Sequence, residues 1–562
     1  MTILPRPPWL DNATANPSQS PLPKPRIDPS RKDRPPLSRR DAAWMGLGLL
    51  LTFVVSYMLG VHRVFWEDEM LGWMLLTDPS WHHMISAWKL GADGGGFAFY
   101  LSGRLWFWFF GPSEISFRFY SAACFGLAFC VLWIALRRFY ERRTVAFALF
   151  NTWFFSPPIV THMAEGRFYG LLMLGVALAA WLVLKADETS GTPAYVCVLM
   201  FLAHGLLTTS HLLGVVYSAT LLASLIFLDW MRGRFRLVLY LSAAVTWLLL
   251  LPERAAMRAS AQVGNPHFWT TPPNLSRLIG AYSAFSSEVA AVLLGLGVAL
   301  FLMLRRSPAG WKAEVRRAYT ARRPAYVVAS ALLLVPVELM LEGLVGPSLF
   351  INRYLMPVAI AQAYLTAEAV HLLSWPRLKP WFLPSAVLGF SIILLLWDFE
   401  HLAGTVMPHK NLTDRLTARL PKGVPVLCED AWIFTELIGR QHASGVQYTY
   451  LLDWAQSTSA AAPRLEVTEY HLMENWKKVG YFAGSIQYRD EFLKQNSRFL
   501  LIHTKPSVQE KEPPMIGNPL LDRFRNDPAY QVLRYGGKTP AGLPETWLVC
   551  RHACDSGVST AG

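Results

Sequence analysis

Residues 43–61 read AWMGLGLLLTFVVSYMLGV, and the eight residues that follow read HRVFWEDE. The first stretch is long enough to cross a bilayer, which takes about 20 predominantly apolar residues. Directly behind it stand three consecutive carboxylates, Glu67, Asp68 and Glu69. Because a charge is costly in hydrocarbon, acidic residues at the exit of a span either lie in a solvated loop or serve a function. We take this acidic cluster as the leading candidate for a functional site.

The composition of the whole chain is typical of a membrane protein. Of the 562 residues, 53% are hydrophobic and 16% are charged, whereas soluble proteins average about 25% charged residues. The formal net charge is +13. The cations cluster in short loops between apolar runs and form no stripe with interleaved aromatic residues. We therefore expect the lipid bilayer as a partner and no nucleic acid.

Further apolar runs predict a polytopic α-helical membrane protein with about eleven transmembrane helices. Loop charge sets their orientation, because Lys and Arg are enriched in cytoplasmic loops. The basic loops follow even-numbered spans, which predicts a cytoplasmic N-terminus and places residues 67–69 outside. The expected spans are 43–61, 115–136, 144–161, 168–184, two within 194–228, 237–251, one that ends at 305, 325–341, 354–373 and 381–397.

The chain is expected to have three parts. Residues 1–42 are polar, basic and rich in proline, without a cleavable signal peptide, and predict a disordered cytoplasmic tail. Residues 43–398 form the transmembrane domain. Residues 399–562 have a soluble composition in which strand-like runs alternate with helical patterns, which predicts an extracytoplasmic α/β domain. One disulfide can form there, and its pairing among Cys428, Cys550 and Cys554 stays open.

Four polar elements are expected to meet on the outer face of the membrane. They are the acidic cluster, residues 165–169, His211 and the pair Arg353–Tyr354. Arg binds phosphate with a bidentate fork, and a carboxylate can take the proton of an attacking hydroxyl. Together they suit a reaction on a lipid that carries a phosphate. Each also has a plain structural interpretation: Glu165 could pair with Arg167, His211 could be a hydrogen-bonded packing residue, and Arg353 could be an interfacial anchor.

The combination of motifs resembles that of the polytopic C-type (GT-C) glycosyltransferases that use polyprenyl-phosphate sugars. The protein O-mannosyltransferase-like family is the nearest group, with the lipid A aminoarabinose transferases as cousins. The resemblance covers roughly residues 44–373 and, more loosely, the C-terminal domain. The motifs are Asp68-Glu69, Phe99-Tyr100 through Phe110-Gly111, Ser113-Glu114 with Phe117-Arg118, Glu165-Gly166-Arg167-Phe168-Tyr169, Ser210-His211 and Arg353-Tyr354-Leu355.

The resemblance implies an inverting transfer of a hexosyl or pentosyl group. The donor would be a polyprenyl-phosphate sugar, and the acceptor a hydroxyl on the outer face of the cytoplasmic (inner) membrane. By the resemblance, Asp68 is the expected general base, Glu69 supports it, and Glu165 occupies the second acidic position. A single displacement needs no protein nucleophile, so a catalytic triad is not required. The residues expected to bind the substrate and its phosphate are Arg353, Tyr354, Arg167, Tyr169 and His211.

The sequence departs from the family pattern in two places. Residues 93–97 read DGGGF where many relatives carry a Lys-Pro segment, which leaves Lys89 and Arg104 as candidate replacements for the phosphate-contacting Lys. Glu67 adds a third carboxylate. A divalent cation held by Glu67 and Asp68 therefore stays open, although a site without a metal is preferred.

Two other classes of function also stay open. One is a transporter or lipid flippase, and the other is a catalytically silent scaffold whose outer domain binds a partner. Transporters place charges near the bilayer midplane and contain internal repeats. Here the charges are expected at one surface and no repeat is visible, which favours the enzyme.

Overall fold

The structure, a computed structural model, describes residues 37–61, 63–189, 191–256, 258, 273–283, 311–345, 348–373, 413–453, 464–503, 520–536, 544–551 and 554. Its contacts divide the chain into two compact units, Met1–Trp44 and Met45–Gly562. The first helix begins in the first unit. All the packing described below lies within the second unit.

Helices dominate the described residues before the C-terminal region. Two 3-10 turns, Val245–Leu250 and Asn352–Tyr354, lie between them. The helices, in chain order, are α1 (Arg39–Gly60), α2 (Glu67–Thr77), α3 (Trp81–Lys89), α4 (Phe97–Phe110), α5 (Glu114–Leu136), α6 (Arg142–Phe154), α7 (Pro157–Met163), α8 (Tyr169–Glu188), α9 (Ala194–Ser210), α10 (Gly214–Met231), α11 (Leu237–Ala244), α12 (Leu275–Ser283), α13 (Trp311–Val345) and α14 (Val358–Leu373).

Within the described residues, five helices are long and apolar enough to cross a membrane: α1, α5, α8, α10 and the part of α13 from Arg322 to Val345. Two shorter apolar stretches, Ala194–Ser210 and Leu237–Leu250, occupy the positions of the predicted fifth and seventh spans. The chain is thus a multi-pass integral membrane protein, as predicted. The predicted eighth and eleventh spans lie outside the described residues, so the total of about eleven stays a prediction.

The predicted third span is interrupted. Helix α6 ends at Phe154, and Pro157 and Pro158 open the short helix α7. Proline lacks the backbone N–H of a helix interior but fits the first turn, so the proline pair ends one helix and starts the next. The break positions His162 in the last turn of α7, immediately before the loop 164–168.

The polar and aromatic stretch after α1 folds into three short helices, α2, α3 and α4. Helix α4 buries Phe99, Tyr100 and Phe107. Phe99 and Phe107 pack with Phe117 of α5 at ring-centroid distances of 6.2 and 5.8 Å. Trp73 of α2 packs on the same Phe107 and Phe117 rings at 5.5 and 6.0 Å. This packing fixes α2, which carries the acidic cluster, relative to a candidate span.

The C-terminal region is an α/β domain built on one mixed sheet, as predicted. Its strand order is β3-β2-β1-β4-β6-β5. Strands β3, β2, β1 and β4 are parallel, and β6 runs antiparallel to β4 and β5. A disulfide joins Cys550 and Cys554. The strands are β1 (Val426–Cys428), β2 (Tyr448–Leu452), β3 (Ile486–Tyr488), β4 (Arg498–His503), β5 (Tyr530–Arg534) and β6 (Glu545–Arg551), and the helices are α15 (Ala431–Ile438), α16 (Gln441–Ser444), α17 (Arg464–Val479), α18 (Arg489–Gln495) and α19 (Leu520–Asn526).

The C-terminal domain is joined to the helices α2 and α3 by specific polar contacts. Tyr481 donates a hydrogen bond to Asp78 Oδ2 at 2.6 Å. His83 lies between Asp78 Oδ2, at 2.5 Å from Nδ1, and the Val479 carbonyl, at 2.7 Å from Nε2. The loop after α3 is held in the same way, by bonds from Asn475 Nδ2 to the Leu90 carbonyl at 2.8 Å and from Trp476 Nε1 to the Ala92 carbonyl at 3.0 Å.

We expect Gly96→Ala to destabilise the protein, whereas Gly94→Ala should not. The Gly96 amide donates to the Ser210 carbonyl at 3.1 Å, and a Cβ at Gly96 would lie 2.1 Å from the Thr209 carbonyl oxygen. Because the Thr209 carbonyl belongs to the backbone, it cannot move aside as easily as a side chain. The added methyl group should therefore lower the free energy of unfolding by about 1–3 kcal/mol. A Cβ at Gly94 meets nothing within 4 Å. Thermal unfolding of both variants in detergent measures the difference, and equal midpoints would contradict the tight contact.

Candidate active site

Asp68 is a partly accessible carboxylate in the first turn of α2. Its side chain is 19% exposed, and its Oδ2 lies 3.2 Å from Arg353 Nη1. The Asp68 carbonyl accepts a hydrogen bond from the Arg167 guanidinium. Arg353 also lies 5.7 Å from the ring centroid of Trp66 and 5.6 Å from that of Tyr354. Asp68 therefore stands between two guanidinium groups while remaining reachable from solvent.

Glu69, the next residue, is fully buried. Its two oxygens accept bonds from Nε and Nη2 of Arg118, both at 2.9 Å, and one of them also accepts from the Gly166 amide at 2.8 Å. The remaining Arg118 donors bind the carbonyls of Gly60, Arg63 and Val64. This buried ion pair ties α2 to α5 and to the loop 164–168, so Glu69 orients its neighbour Asp68.

Glu165 lies buried in the loop between α7 and α8. Its Oε2 is 2.5 Å from His162 Nδ1, and its Oε1 is 3.5 Å from Arg63. Burial alone would raise the pKa of this carboxyl, but His162, Arg63 and Arg353 outweigh it and lower the pKa to about 2. Glu165 is thus an ionised carboxylate, and its partner is His162.

Arg167 pairs with a residue for which the sequence predicted no role. Its Nη1 lies 3.0 Å from Asp93 Oδ1. Asp93 is buried and also accepts from Tyr100 Oη at 2.6 Å and from the Gly94 amide at 2.8 Å. The segment that departs from the family pattern thus supplies the carboxylate that holds Arg167. The only feature of the sequence that could have drawn attention to Asp93 is the run of three glycines that follows it.

Aromatic rings close the site on the side of α9 and α10. His211 stacks on Phe168 at a centroid distance of 4.4 Å and lies 4.9 Å from Tyr354. Its Nδ1 accepts from the Leu213 amide at 3.2 Å. Burial, with Arg167 and Arg353 nearby, lowers the pKa of His211 to about 3, so this ring is neutral.

Tyr169 lies in the first turn of α8, close to the same group of residues. The side chain is buried, and within the described part of the chain its Oη has no hydrogen-bond partner. Tyr169 lies within electrostatic range of Arg353 and Asp68. Its ring centroid is 4.8 Å from that of His162. Because buried hydroxyls are normally paired, this one points to a ligand with polar oxygens.

Lys89 and Arg104 lie apart from this cluster. Lys89 is exposed at the end of α3. The Arg104 guanidinium sits 4.2 Å from the ring centroid of Trp81, at the start of α3. Among the contacts of the described residues, neither cation reaches Asp68, Glu165 or Arg353. The basic side chains that the structure brings to the cluster are Arg63, His162, Arg167 and Arg353.

The carboxylate oxygens of Glu67 and Asp68, which could bind a metal ion, interact with other side chains. Asp68 pairs with Arg353, and the Glu67 carboxyl has a hydrogen bond with Trp432 at the start of α15. No three His, Cys, Asp or Glu side chains form a metal-binding group in the ranges that the structure covers. Within the described residues, the divalent cation that the sequence left open has no arranged set of ligands.

Glu67 should make the protein less stable as the pH rises. Burial, together with Asp68 and Asp430, raises the pKa of Glu67 from 4.5 to about 8. A carboxyl whose pKa is raised in the fold stabilises most below its ordinary value, and this contribution is lost as the pH rises through the folded value. We expect the unfolding midpoint to fall between pH 4.5 and about 8, and Glu67→Gln to flatten that fall. Thermal scans against pH test this, with exposed Glu491→Gln as the control, and a fall of unchanged steepness in Glu67→Gln would contradict it.

Comparison with known proteins shows the fold. No model of a known protein family matches the chain, and no curated protein matches it. ArnT from Cupriavidus metallidurans, crystallised with undecaprenyl phosphate, is similar over 93% of this chain and 99% of its own, with a TM-score of 0.52 and 13% identity. The Archaeoglobus fulgidus oligosaccharyltransferase, in a complex with Zn and sulfate, is similar over 81% of this chain and 68% of its own, with a TM-score of 0.41 and 14% identity. The likeness to ArnT shows that the chain has the GT-C fold.

Proposed function

We propose that the protein is an inverting glycosyltransferase that moves one sugar from a polyprenyl-phosphate carrier to an acceptor hydroxyl. The observation that carries this is the accessible Asp68 carboxylate paired with Arg353, close to the buried hydroxyl of Tyr169, which has no hydrogen-bond partner among the described residues. A proton acceptor and a phosphate-binding cation then lie within one site. The shared fold supports the proposal, since the ArnT crystal structure contains undecaprenyl phosphate.

The donor phosphate would take the place of Asp68 on Arg353. Arg353 Nη1 lies 3.2 Å from Asp68 Oδ2, and a guanidinium binds a phosphate at least as well as a carboxylate. Tyr169 Oη would donate a further hydrogen bond to the same phosphate. Donor binding thus frees the Asp68 carboxylate, and the base becomes available when there is a sugar to transfer.

The reaction is a single displacement at the anomeric carbon. The acceptor oxygen forms a bond to that carbon as the bond from carbon to the phosphate oxygen breaks. The acceptor proton passes to Asp68, and the electron pair leaves with the phosphate. Arg353, supported by Arg167, stabilises the charge that develops there. Glu69, through Arg118, keeps α2 in the orientation that this transfer needs.

Loop charge supports an outer location for this site and a cytoplasmic N-terminus. We propose residues 1–42 as the tail, 43–398 as the catalytic transmembrane domain and 399–562 as an extracytoplasmic domain in the cytoplasmic membrane. The C-terminal domain lies next to the acidic cluster, where Trp432 packs on Trp66 at a centroid distance of 6.3 Å. From this position it could cover the site or select the acceptor.

Mass spectrometry of lipids that co-purify with the protein tests the proposal most directly. We expect a polyprenyl-phosphate sugar, whose head group names the transferred sugar. The purified protein should then consume this lipid and release polyprenyl phosphate when an acceptor is added. Movement of lipid or ions across liposomes without sugar release would instead identify a transporter. Binding of a partner alone, with neither activity, would identify a scaffold.

A further inference from the structure

Helix α4 has an apolar face that is exposed, although α4 is not one of the candidate spans. We infer that this face is embedded in the lipid leaflet beside the acidic cluster, so that α4 lies in the membrane interface without crossing the bilayer. The partner of this surface is therefore the lipid itself and not a second protein chain. Such an anchor is independent of which group the protein transfers.

Large apolar side chains cover this face and the C-terminal end of α4. They are between 51% and 76% exposed and comprise Leu101, Leu105, Trp108, Phe109 and Phe110. The first three are spaced by four and three residues, which places them on one side of an α-helix. Tyr100 and Phe107, on the opposite side, are buried in the protein. An exposed apolar patch of this kind marks a surface that contacts a membrane or a protein.

The C-terminal end of α4 lies level with the end of a membrane span. Helix α5 is long and apolar enough to cross a membrane, and only residues 111–113 separate it from α4. Trp106 Nε1 donates to the carbonyl of Ser116, in the first turn of α5, at 2.9 Å, and the Trp106 ring centroid is 4.2 Å from that of Phe110. Ile115, in the same turn, is 40% exposed. The apolar face thus continues onto the outside of a span, which favours lipid over a protein partner.

Helix α4 is too short to cross the bilayer itself. Its 14 residues extend about 21 Å at about 1.5 Å per residue, whereas the hydrocarbon core of a bilayer is about 30 Å thick. An apolar helix of this length at the end of a span satisfies its exposed face by lying in the interface, where Trp and other aromatic side chains are enriched.

Arg104 marks the polar edge of this face. It lies three residues after Leu101 and four before Trp108, and its guanidinium is 4.2 Å from the ring centroid of Trp81, which is 45% exposed. Arg side chains at the edge of a lipid-facing surface reach toward the head groups while their stems stay among apolar groups. Arg104, which does not reach the candidate active site, thus has a place at the membrane surface.

The anchor also sets the height of the acidic cluster. Helix α2 packs on α4 through Trp73 and Phe107, whose ring centroids are 5.5 Å apart, and through Leu76, which lies against Gly103. An interfacial helix buries its apolar face about 5–10 Å into the boundary between head groups and acyl chains. With α4 at that depth, α2 and its carboxylates are held close to the lipid head groups.

The test places a nitroxide label on α4 of the full-length protein in lipid nanodiscs. Trp108→Cys and the control Glu491→Cys, at an exposed carboxylate of α18, are each labelled in a chain that also carries Cys130→Ser and Cys197→Ser, because these native thiols are only partly buried. We expect the label at position 108 to collide more often with oxygen than with water-soluble nickel ethylenediaminediacetate, at a depth of about 5–10 Å. The label at position 491 should show the reverse ratio.

The two collision rates separate the possible surroundings of this face. Equal access of the nickel chelate at positions 108 and 491 would show a face in water and would overturn the lipid contact. Low access of both reagents at 108 would show a face covered by protein and would overturn it as well. If Trp108→Cys does not fold, Leu105→Cys on the same face provides the same comparison. No sugar is involved, so the proposed function stands or falls separately, on sugar transfer by the parent protein.

Discussion

Asp68→Asn is expected to lower the rate of sugar transfer by about 10²- to 10⁴-fold, the usual contribution of a general base. Asn cannot accept the acceptor proton, yet it has almost the same size. It also removes the carboxylate that competes for Arg353, so affinity for undecaprenyl phosphate should be retained or increased. Initial rates and phosphate-lipid binding, measured on the same preparation, separate the two effects.

The matched control is Asp490→Asn, at an exposed carboxylate of α18, which should transfer sugar at the parent rate. Asp68→Asn that folds and transfers sugar as fast as the parent would falsify the assignment of the base. A loss of binding as large as the loss of rate would also count against it, because it would mean that Asp68 mainly holds the donor.

Of the substitutions discussed here, Arg118→Met is expected to lower the free energy of unfolding most, by about 3–5 kcal/mol. This is the usual cost of removing one partner of a buried ion pair. It leaves the fully buried Glu69 carboxylate uncompensated and strips donors from the carbonyls of Arg63 and Val64. The unfolding midpoint in detergent and the yield of monodisperse protein measure the effect.

The double variant Glu69→Leu/Arg118→Met removes both charges and should be more stable than Arg118→Met alone. A well-packed apolar pair can replace a buried ion pair at little cost, whereas an isolated buried charge cannot be tolerated. If the double variant is as unstable as the single one, the carbonyl contacts of Arg118, and not its pairing with Glu69, hold α2 in place.

The sequence predicted the membrane-spanning class and the C-terminal α/β domain because both depend on local apolar patterns. Strands β1, β4 and β6 overlap the apolar, strand-like runs 424–427, 499–502 and 547–549 of the sequence. Strands β2, β3 and β5 were not predicted. Strands β3 and β5 lie at the edges of the sheet and are only partly buried. The break in the third span also depends on local chemistry, namely the proline pair, but its effect on His162 required the fold.

The residues of the candidate site were only partly accessible to sequence reasoning. Asp68, Arg353, Tyr169 and His211 were expected to converge, and the structure brings them together. The partners of Arg167 and Glu69 were not predicted. Asp93 is 74 residues from Arg167, and Arg118 is 49 residues from Glu69. Such pairings follow from helix packing, which no local pattern encodes, and the roles of all these residues stay predictions.

The polar contacts between the C-terminal domain and the loop after α3 have a practical consequence for anyone who wishes to dissect the protein. Deleting that domain would remove the donors that satisfy the carbonyls of Leu90 and Ala92, and it would remove the Tyr481 hydroxyl that donates to the buried Asp78 carboxylate. In a truncated protein, the loop that carries Asp93 would therefore lose contacts that hold its conformation. We expect such a protein to be inactive for reasons unrelated to acceptor choice. Point substitutions on the surface of the sheet, rather than removal of the domain, are the informative way to ask what it recognises.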